Sequence, residues 1–161
     1  MNSCCTELIE LLRKNNLKIS TAESCTGGLI AKSITDVAGC SDVFYGGVVS
    51  YDNSVKMKLL GVKAETLDAY GAVSSFTAVE MAEGVARACG TEVSISTTGI
   101  AGPGGGSEEK PVGTVFVGVF VSGKSYWKRL SISPSLSRQE IRCDAVKLAI
   151  AFAVEKIIQN Y

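Results

Sequence analysis

Segments with helical spacing of apolar residues alternate with short apolar runs along the first hundred residues. This alternation constrains the fold more than any other feature, because the two periodicities predict amphipathic helices and buried strands. The predicted helices cover residues 4–15, 27–39, 53–60, 64–70, 75–89 and 137–158, and the predicted strands cover residues 17–22, 44–51 and 93–97. A hairpin of residues 111–120 and 126–132 follows, turning at residues 122–124.

Crossover helices join parallel strands, whereas a hairpin joins antiparallel ones, so the sheet is expected to be mixed. We therefore predict an α/β fold: a three-layer α/β/α sandwich on a mixed, mostly parallel sheet with a C-terminal hairpin and a long last helix. The 161 residues are expected to form one domain with a full core. The buried side of the last helix is predicted to include Leu136, Ile141, Ala145, Leu148, Phe152 and Val154.

The chain contains no histidine, which removes Ser-His-Asp triads, Cys-His pairs and histidine-ligated metal sites together. A catalyst built from this sequence must use Ser, Thr, Cys, Lys, Tyr or a carboxylate. Sixteen basic residues balance sixteen acidic ones, so charge predicts no nucleic-acid or membrane partner.

Six scattered cysteines form no C-x-x-C pair, which is typical of a reduced cytosolic protein. The first fourteen residues do not follow the pattern of a signal peptide, and no stretch approaches eighteen apolar residues. These observations predict a cytoplasmic location.

Residues 21–28 combine a strand end, a polar turn and a Gly-Gly helix start. Exposed amides and the helix dipole at such a place can stabilise an anion or an oxyanion, so Ser24 in the turn is a candidate nucleophile. Cys25 is an alternative nucleophile, because a helix N-terminus lowers the pKa of a thiol. The competing interpretation is purely structural: Ser and Thr are ordinary N-caps, and Glu23 is then a solvated charge.

Residues 51–56 leave the second strand for a helix and contain Lys56. Without histidine, lysine is the natural base for a serine, provided that burial lowers its pKa from about 10.4. The structural alternative is an ordinary helix start, with Asn53 as the cap and Lys56 in water.

Two later segments are suited to a phosphate-bearing ligand. The glycine-rich loop of residues 99–107 fits neither the Walker nor the dinucleotide pattern, and its glycines are expected to let its backbone approach a ligand. Arg138 and Arg142 lie four residues apart at the start of the last helix, where a pair of arginines can hold a phosphate. The alternatives are a surface Ω-loop and two solvated arginines.

In this order, the segments resemble the CinA C-terminal domain family, the nicotinamide-nucleotide amidases. The resemblance covers nearly the whole chain, through Thr21-Ala-Glu-Ser-Cys-Thr-Gly-Gly28, Gly47-Val-Val-Ser-Tyr51 with Asn53 and Lys56, Gly71-Ala-Val-Ser74, Thr98-Gly-Ile-Ala-Gly-Pro-Gly-Gly-Gly-Ser107 and Lys110-Pro-Val-Gly-Thr114. One departure concerns the last helix, where Leu136-Ser137 stands before Arg138 in place of the family's Gly-Asp.

The resemblance implies one amidohydrolase domain over residues 1–161 that needs no metal and no cofactor. It would convert nicotinamide mononucleotide to nicotinate mononucleotide and ammonia, with Ser24 as the nucleophile, Lys56 as its base and Tyr51 as a partner that orients or relays protons. The residues expected to bind the substrate are Glu23, Cys25, Thr26, Gly27, Gly28, Gly46, Thr98, Gly99, Ile100, Ala101, Gly102, Arg138 and Arg142.

Two other functions stay open at the level of the sequence. The same site could hydrolyse a different amide or ester, or the fold could bind a nucleotide or a protein partner without catalysis. We also expect a homodimer, since a neighbouring copy often completes a site made of one domain's loops.

Overall fold

The computed structural model describes residues 2–161, so that Met1 of the predicted domain lies outside the described residues. The elements are α1 (Asn2–Lys14), β1 (Ile19–Glu23), α2 (Leu29–Thr35), a 3₁₀ turn (Cys40–Asp42), β2 (Phe44–Val49), α3 (Asn53–Leu60), α4 (Ala64–Tyr70), α5 (Ser75–Cys89), β3 (Val93–Gly99), β4 (Thr114–Val121), β5 (Lys124–Ser131) and α6 (Arg138–Asn160).

The five strands form one mixed sheet in the order β2-β1-β3-β4-β5. Strand β1 pairs in parallel with β2 and β3, whereas β4 is antiparallel to both β3 and β5. Four strands therefore run in the same direction. Helices α1, α2 and α6 pack together on one face, and α5, flanked by α3 and α4, covers the other. The predicted three-layer α/β/α sandwich is confirmed.

Small side chains let α5 lie close to its face of the sheet. The hydroxyls of Ser94 and Ser96 on β3 donate to the carbonyls of Ala82 (2.6 Å) and Ala78 (2.5 Å) in α5. On the neighbouring strand β4, a Cβ at Gly118 would lie 2.3 Å from the Ala78 oxygen, a distance that real atoms do not reach. The opposite face holds the larger apolar cluster, shared with α1, α2 and α6.

Some predicted bounds differ from the structure: β2 ends at Val49 and not at residue 51, β4 begins at Thr114 and not at residue 111, and Asp52, not Asn53, caps α3. Three further details are wrong. Helix α2 ends at Thr35, and the turn Cys40–Asp42 follows it. The hairpin turns on two residues, Ser122 (φ 45°) and Gly123 (φ 91°), as a type I′ turn requires, so Lys124 already belongs to β5. Leu148 is 44% exposed, because it falls on the outer side of α6 with Lys147 and Glu155.

The sheet topology creates a crevice at the carboxyl ends of β1 and β2. The chain leaves β1 for α2 on one face and leaves the adjacent β2 for α3 on the other. Ligand sites of open α/β sheets lie at such points, where the connections of neighbouring strands diverge. Among the described residues, no helix combines the length and hydropathy needed to cross a membrane.

Candidate active site

The strand alternation of β1 sends two consecutive polar side chains to opposite faces of the sheet. Glu23 turns toward α2, and Ser24, the next residue, turns toward α3 on the other face, where it meets Lys56. The Ser24 amide donates to the Thr97 carbonyl of β3 at 2.9 Å, which fixes the turn at the sheet edge. The two faces of the sheet thereby separate the Glu23 carboxylate from the Ser24 hydroxyl.

Lys56 lies beside Ser24 although the two residues are far apart in sequence. Its Nζ is 3.2 Å from Ser24 Oγ, and it also donates to the carbonyls of Ser50 (2.7 Å) and Tyr51 (3.3 Å). Only 1% of Lys56 is exposed, which makes it the largest fully buried side chain of the described chain. The solvated lysine of the structural alternative is thus wrong.

Burial lowers the pKa of Lys56 below its ordinary value, while the charges of Asp52 and Cys25 oppose this shift. No carboxylate pairs with its Nζ within residues 2–161. All three oxygens around Nζ accept from it: the carbonyls of Ser50 and Tyr51 and the Ser24 hydroxyl. A neutral amine, with two N–H donors and one lone pair, keeps the two carbonyl bonds and turns the lone pair to the Ser24 hydroxyl. The arrangement suits a lysine that takes a proton from serine.

Cys25 is a poor nucleophile in this structure. It is buried, with 6% of its surface exposed, and burial raises the pKa of its thiol to about 12. The helix-terminus effect expected from the sequence does not prevail, because the amides of α2 are directed at Glu23 rather than at the thiol.

Glu23 occupies the helix N-terminus that the sequence suggested for a ligand. Its carboxylate accepts from the amides of Gly28 (3.0 Å), Ile30 (3.0 Å) and Ala31 (2.9 Å) and from the Thr26 hydroxyl (2.7 Å). With 1% of its surface exposed, Glu23 is not the solvated charge of the structural alternative, and its carboxylate is already bonded within the chain.

The hydrogen bonds around Ser24 and Glu23 determine which amides of this turn are left to donate to a ligand. Gly27 N donates to the Ser24 carbonyl, and Gly28 N donates to Glu23. Within residues 2–161, no carbonyl or carboxylate accepts from the amides of Cys25 and Thr26. Of the amides in residues 25–28, these two are therefore the ones left to donate to an oxyanion.

We expect Glu23→Gln to lower the free energy of unfolding by about 2–4 kcal/mol, because an amide group cannot accept all four of these bonds and loses the favourable charge at the helix N-terminus. Urea denaturation measures the effect. Glu65→Gln is the matched control, since Glu65 is exposed in the first turn of α4; we expect a change within about 0.5 kcal/mol there. Equal losses in the two variants would contradict the capping role.

Several other residues expected to bind substrate have structural contacts instead. The Thr98 hydroxyl donates to the Ala72 carbonyl at 2.7 Å, and the Thr26 hydroxyl is bonded to Thr97 as well as to Glu23. Gly46 pairs with Ser20 in the middle of β2, four residues or about 13 Å of strand from the Ser24 position. Gly46 is therefore remote from the site.

The glycine loop approaches its own chain more closely than the sequence suggested. A Cβ at Gly99 would lie 2.6 Å from the Thr114 oxygen, and Cβ atoms at Gly102 and Gly106 would lie 2.7 and 2.8 Å from atoms of Val112. Ile100 donates its amide to Thr114, and Ala101 is buried. These three glycines are needed for internal packing, whereas Cβ atoms at Gly104 and Gly105 would make no close contact with the rest of the chain. The expected backbone contact of the loop with a ligand stays a prediction.

The two arginines of α6 have different surroundings. Arg142 donates to the carbonyls of Cys25 (3.1 Å, from Nε) and Thr26 (2.7 Å, from Nη2), so its guanidinium holds the turn that follows Ser24. Arg138 is exposed and donates to the Gly102 carbonyl (2.6 Å) and the Tyr51 hydroxyl (2.9 Å). Its guanidinium therefore links the glycine loop to the segment that carries Lys56.

Tyr51 reaches Lys56 through its main chain. Its carbonyl accepts from Lys56 Nζ, whereas its phenol, on a side chain that is 63% exposed, is bonded to Arg138. A direct phenol contact with Ser24 or Lys56, as a proton relay needs, is absent from the described residues.

Leu136 and Ser137, which stand in place of the family's Gly-Asp, form a regular helix start. Ser137 caps α6, and Ser137 and Glu140 bond reciprocally as a capping box. Leu136 and Ile141, which precede and follow the cap, both join the large apolar cluster as in a hydrophobic staple. This start places Arg138 at the first helical position, facing Tyr51 and Gly102.

The sequence interpretation missed Ser50 and Thr97. Ser50 supplies the shortest contact of Lys56, and Thr97 holds the Ser24 amide and the Thr26 hydroxyl. Ser50 lies inside the segment that carries the family resemblance. Its carbonyl could not be recognised as an acceptor from the sequence, because every residue type has a main-chain carbonyl.

A separate groove lies elsewhere and contains neither Ser24 nor Lys56. It encloses about 620 Å³ beside α5 and β5, between Phe76, Val79 and Trp127. The chemistry of the buried Lys56, not the size of a cavity, distinguishes the candidate site. Within residues 2–161, no cluster of three or more acidic or Cys side chains is arranged to hold a metal ion.

Comparison with known proteins gives a consistent result. A model of the CinA C-terminal domain matches residues 1–157. The chain is 52% identical over 145 residues to a CinA-like protein of Kosmotoga olearia and 49% identical over 148 residues to a protein of Clostridium acetobutylicum named as competence-damage inducible. These matches cover 90% and 92% of the chain but 35% and 36% of the relatives, so the chain spans about a third of their length.

Solved structures share the fold over more than nine-tenths of their length. The competence/damage inducible protein CihA of Agrobacterium tumefaciens is 40% identical with a TM-score of 0.92, covering 96% of this chain and 93% of that one. The competence damage-inducible protein A (ComA) of Klebsiella pneumoniae is 31% identical with a TM-score of 0.93, covering 98% and 96%.

Proposed function

The chain belongs to the CinA C-terminal domain family, and on this basis we propose that it is an amidohydrolase acting on nicotinamide mononucleotide through a Ser24 nucleophile and a Lys56 base. The products are nicotinate mononucleotide and ammonia. The substrate follows from the family resemblance of the sequence, and the reaction type is supported by the site.

The observation that carries the proposal is the buried Lys56 amine 3.2 Å from the Ser24 hydroxyl. A serine needs a base to become a nucleophile, and the chain has no histidine to supply one. Burial that lowers the pKa of Lys56 increases the neutral fraction able to accept the proton.

The reaction proceeds through an acyl-enzyme. Lys56 takes the Ser24 proton as Ser24 Oγ attacks the carboxamide carbon, and the amides of Cys25 and Thr26 are the donors offered to the oxyanion. The proton then passes from Lys56 to the leaving nitrogen, and ammonia departs. Water, deprotonated in turn by Lys56, attacks the Ser24 ester and releases the carboxylate product.

Arg138 is the better candidate for the nucleotide phosphate, because it is exposed beside Tyr51 and the glycine loop, whereas Arg142 is committed to the nucleophile turn. A phosphate would replace or share the present Arg138 contacts to Gly102 and Tyr51. Bidentate bonds between arginine and a charged phosphate are stronger than these bonds from Arg138 to uncharged acceptors.

The direct test is ammonia release from nicotinamide mononucleotide by the native protein, without added metal and with EDTA present. We expect steady release together with nicotinate mononucleotide. A folded protein that releases no ammonia from this substrate, but does so from other carboxamides, would overturn the substrate assignment and keep the amidase. Nucleotide binding without any hydrolysis would favour a non-catalytic binding protein.

Arg138→Gln is expected to raise KM for nicotinamide mononucleotide by about 10- to 100-fold with a much smaller change in kcat, because a charge-assisted bond to the phosphate is lost. The comparison substrate is nicotinamide riboside, which lacks the phosphate and should respond little. Lys147→Gln, an exposed change on the same helix, is the control. Equal effects of Arg138→Gln on both substrates would contradict a phosphate contact.

A further inference from the structure

Ser50 carries the one buried side-chain oxygen or nitrogen that has no hydrogen-bond partner in residues 2–161. None of the residue is exposed to solvent. A buried hydroxyl without a partner is costly, and natural proteins retain few of them without a reason. The orphan lies inside the candidate site, because the Ser50 carbonyl accepts from Lys56 Nζ at 2.7 Å.

The main chain of Ser50 connects the two reactive residues. Its amide donates to the carbonyl of Glu23, the residue before Ser24, and its carbonyl holds Lys56. Two residues earlier on β2, Val48 packs into the apolar cluster under α3 and α5, and strand alternation directs Ser50 to the same face, where Lys56 lies. Because the carbonyl and the hydroxyl belong to one residue, a χ1 rotation is the main movement that would bring Ser50 Oγ to the same nitrogen.

The hydrogen-bond needs of Lys56 change when it takes a proton. The neutral amine has two N–H donors, whereas the ammonium has three and no lone pair. Charge-assisted N–H···O bonds are typically 2.7–2.9 Å long. Only the Ser50 carbonyl is that close, since Tyr51 O and Ser24 Oγ are 3.3 and 3.2 Å away. During acylation Ser24 Oγ is also consumed as an acceptor, because it bonds to the carbonyl carbon.

We propose that the Ser50 hydroxyl accepts a hydrogen bond from Lys56 whenever that lysine is an ammonium, so that Ser50 is a positioning residue for the charged base. The inference rests on the proposed function, because it assumes that Lys56 receives the Ser24 proton. On this proposal, the Ser50 hydroxyl has no partner while Lys56 is neutral and gains one when Lys56 is charged, which gives a reason for keeping a buried, unpartnered hydroxyl.

Other charges near Lys56 do not supply this acceptor. Asp52 on the first turn of α3 and Cys25 from the β1–α2 turn act on Lys56 through their charge, without a bond to its Nζ. Arg142 lies beyond Cys25, on the far side of the turn, and donates to carbonyls there. The pH response of the base can therefore be attributed to Ser50 once these groups are left unchanged.

The test uses a small fluorophosphonate, which reports the reactivity of Ser24 without any nucleotide. Ser24 Oγ bonds to phosphorus, the P–F bond breaks, fluoride leaves, and the serine proton passes to Lys56 and then to solvent. The inactivation rate is measured against pH for the wild-type protein, for Ser50→Ala and for Ser50→Cys, with intact mass to confirm a single adduct.

For Ser50→Ala we expect a plateau rate about 10- to 100-fold lower, the effect of one hydrogen bond to a charged group. The same lost bond also lowers the pKa of Lys56 in the free protein, by an amount that corresponds to the same factor. The acid limb is the part of the profile below this pKa, where the rate rises with pH. In this limb the lower plateau and the lower pKa cancel, so the two profiles should coincide there. A Ser50→Cys thiol, a weak acceptor, should give an intermediate plateau. Thermal unfolding of Ser50→Ala should be unchanged or shifted upward, because an unpartnered hydroxyl is removed.

A merely structural role would give a different result. Misplacement of Lys56 would lower the rate by the same factor at every pH, so that the acid limb falls with the plateau and the inflection stays at the wild-type pH. An unchanged profile would show that Ser50 takes no part. Either result overturns the proposal. Ser94→Ala is the matched control, since it removes a buried hydroxyl bonded to α5 far from the site, and it should lose stability but not reactivity. A folded wild-type protein that does not react at all would overturn the Ser24–Lys56 function itself.

Discussion

Ser24→Ala should reduce ammonia release by about 10⁴-fold or more, since without a nucleophile no acyl-enzyme can form. The fold should survive, because Ser24 is held by its main-chain bonds to Thr97 and Gly27, which alanine retains. We expect the free energy of unfolding to stay within about 1 kcal/mol of the wild-type value. Steady-state ammonia release and urea denaturation of the same preparations measure the two quantities.

The control for this substitution is Ser33→Ala, which removes a buried hydroxyl bonded within α2 and should leave turnover intact. If Ser24→Ala kept more than a small fraction of the activity, the nucleophile would have to lie elsewhere. Cys25 is the adjacent candidate, but its pKa of about 12 leaves almost no thiolate at neutral pH.

Lys56→Met should have the second largest effect, a loss of about 10²- to 10⁴-fold in turnover at neutral pH, as expected for removal of a general base. Methionine keeps an unbranched apolar side chain as far as the ε carbon but has no amine to accept a proton. Activity that partly returns at high pH would indicate hydroxide acting in place of the amine. A variant with wild-type turnover at neutral pH would refute the role of Lys56.

Lys56 should also change how the free energy of unfolding depends on pH, and this can be measured without any substrate. Its pKa is lowered in the folded state, so the unfolded chain binds more protons at pH values between the folded pKa and about 10.4. In that window the wild-type protein should gain stability relative to Lys56→Met as pH rises, by at most about 1.4 kcal/mol per pH unit. Below the folded pKa, the difference between the two proteins should be constant.

The control for the stability measurement is Lys58→Met on the same helix. Lys58 is exposed, so replacing it should give a stability difference that does not vary with pH. Parallel pH profiles for wild type and Lys56→Met would mean that the buried amine keeps an ordinary pKa.

Much of the fold could be predicted from local patterns of residues in the sequence. The predicted bounds of α3, α4 and α5 are those of the structure, because each helix starts after a polar or extended residue and ends at a glycine: Gly61, Gly71 and Gly90. Leu148 was misplaced because apolar character alone does not tell which side of a long helix faces the sheet. The turn of the hairpin depended on positive φ angles at Ser122 and Gly123, and serine rarely adopts them.

The candidate site was predictable where chemistry depends on residue type. The absence of histidine and the presence of Ser24 and Lys56 limit the possible catalysts through residue identity alone. The roles of Glu23 and Arg142 were not predictable, because a carboxylate at a helix start and an arginine near it are equally compatible with a ligand. Only folding brings them to their partners: the amides of α2 for Glu23 and the carbonyls of the nucleophile turn for Arg142.

The sequence by itself therefore determined the layered α/β architecture and the chemical types available for catalysis, since both depend on periodicity and residue identity. The tertiary structure decided which polar groups are already satisfied inside the protein and which remain for chemistry. That division depends on burial and on main-chain acceptors distant in sequence, such as the Ser50 carbonyl beside Lys56. Main-chain groups are the same in every residue, so their positions become known only when the chain is folded.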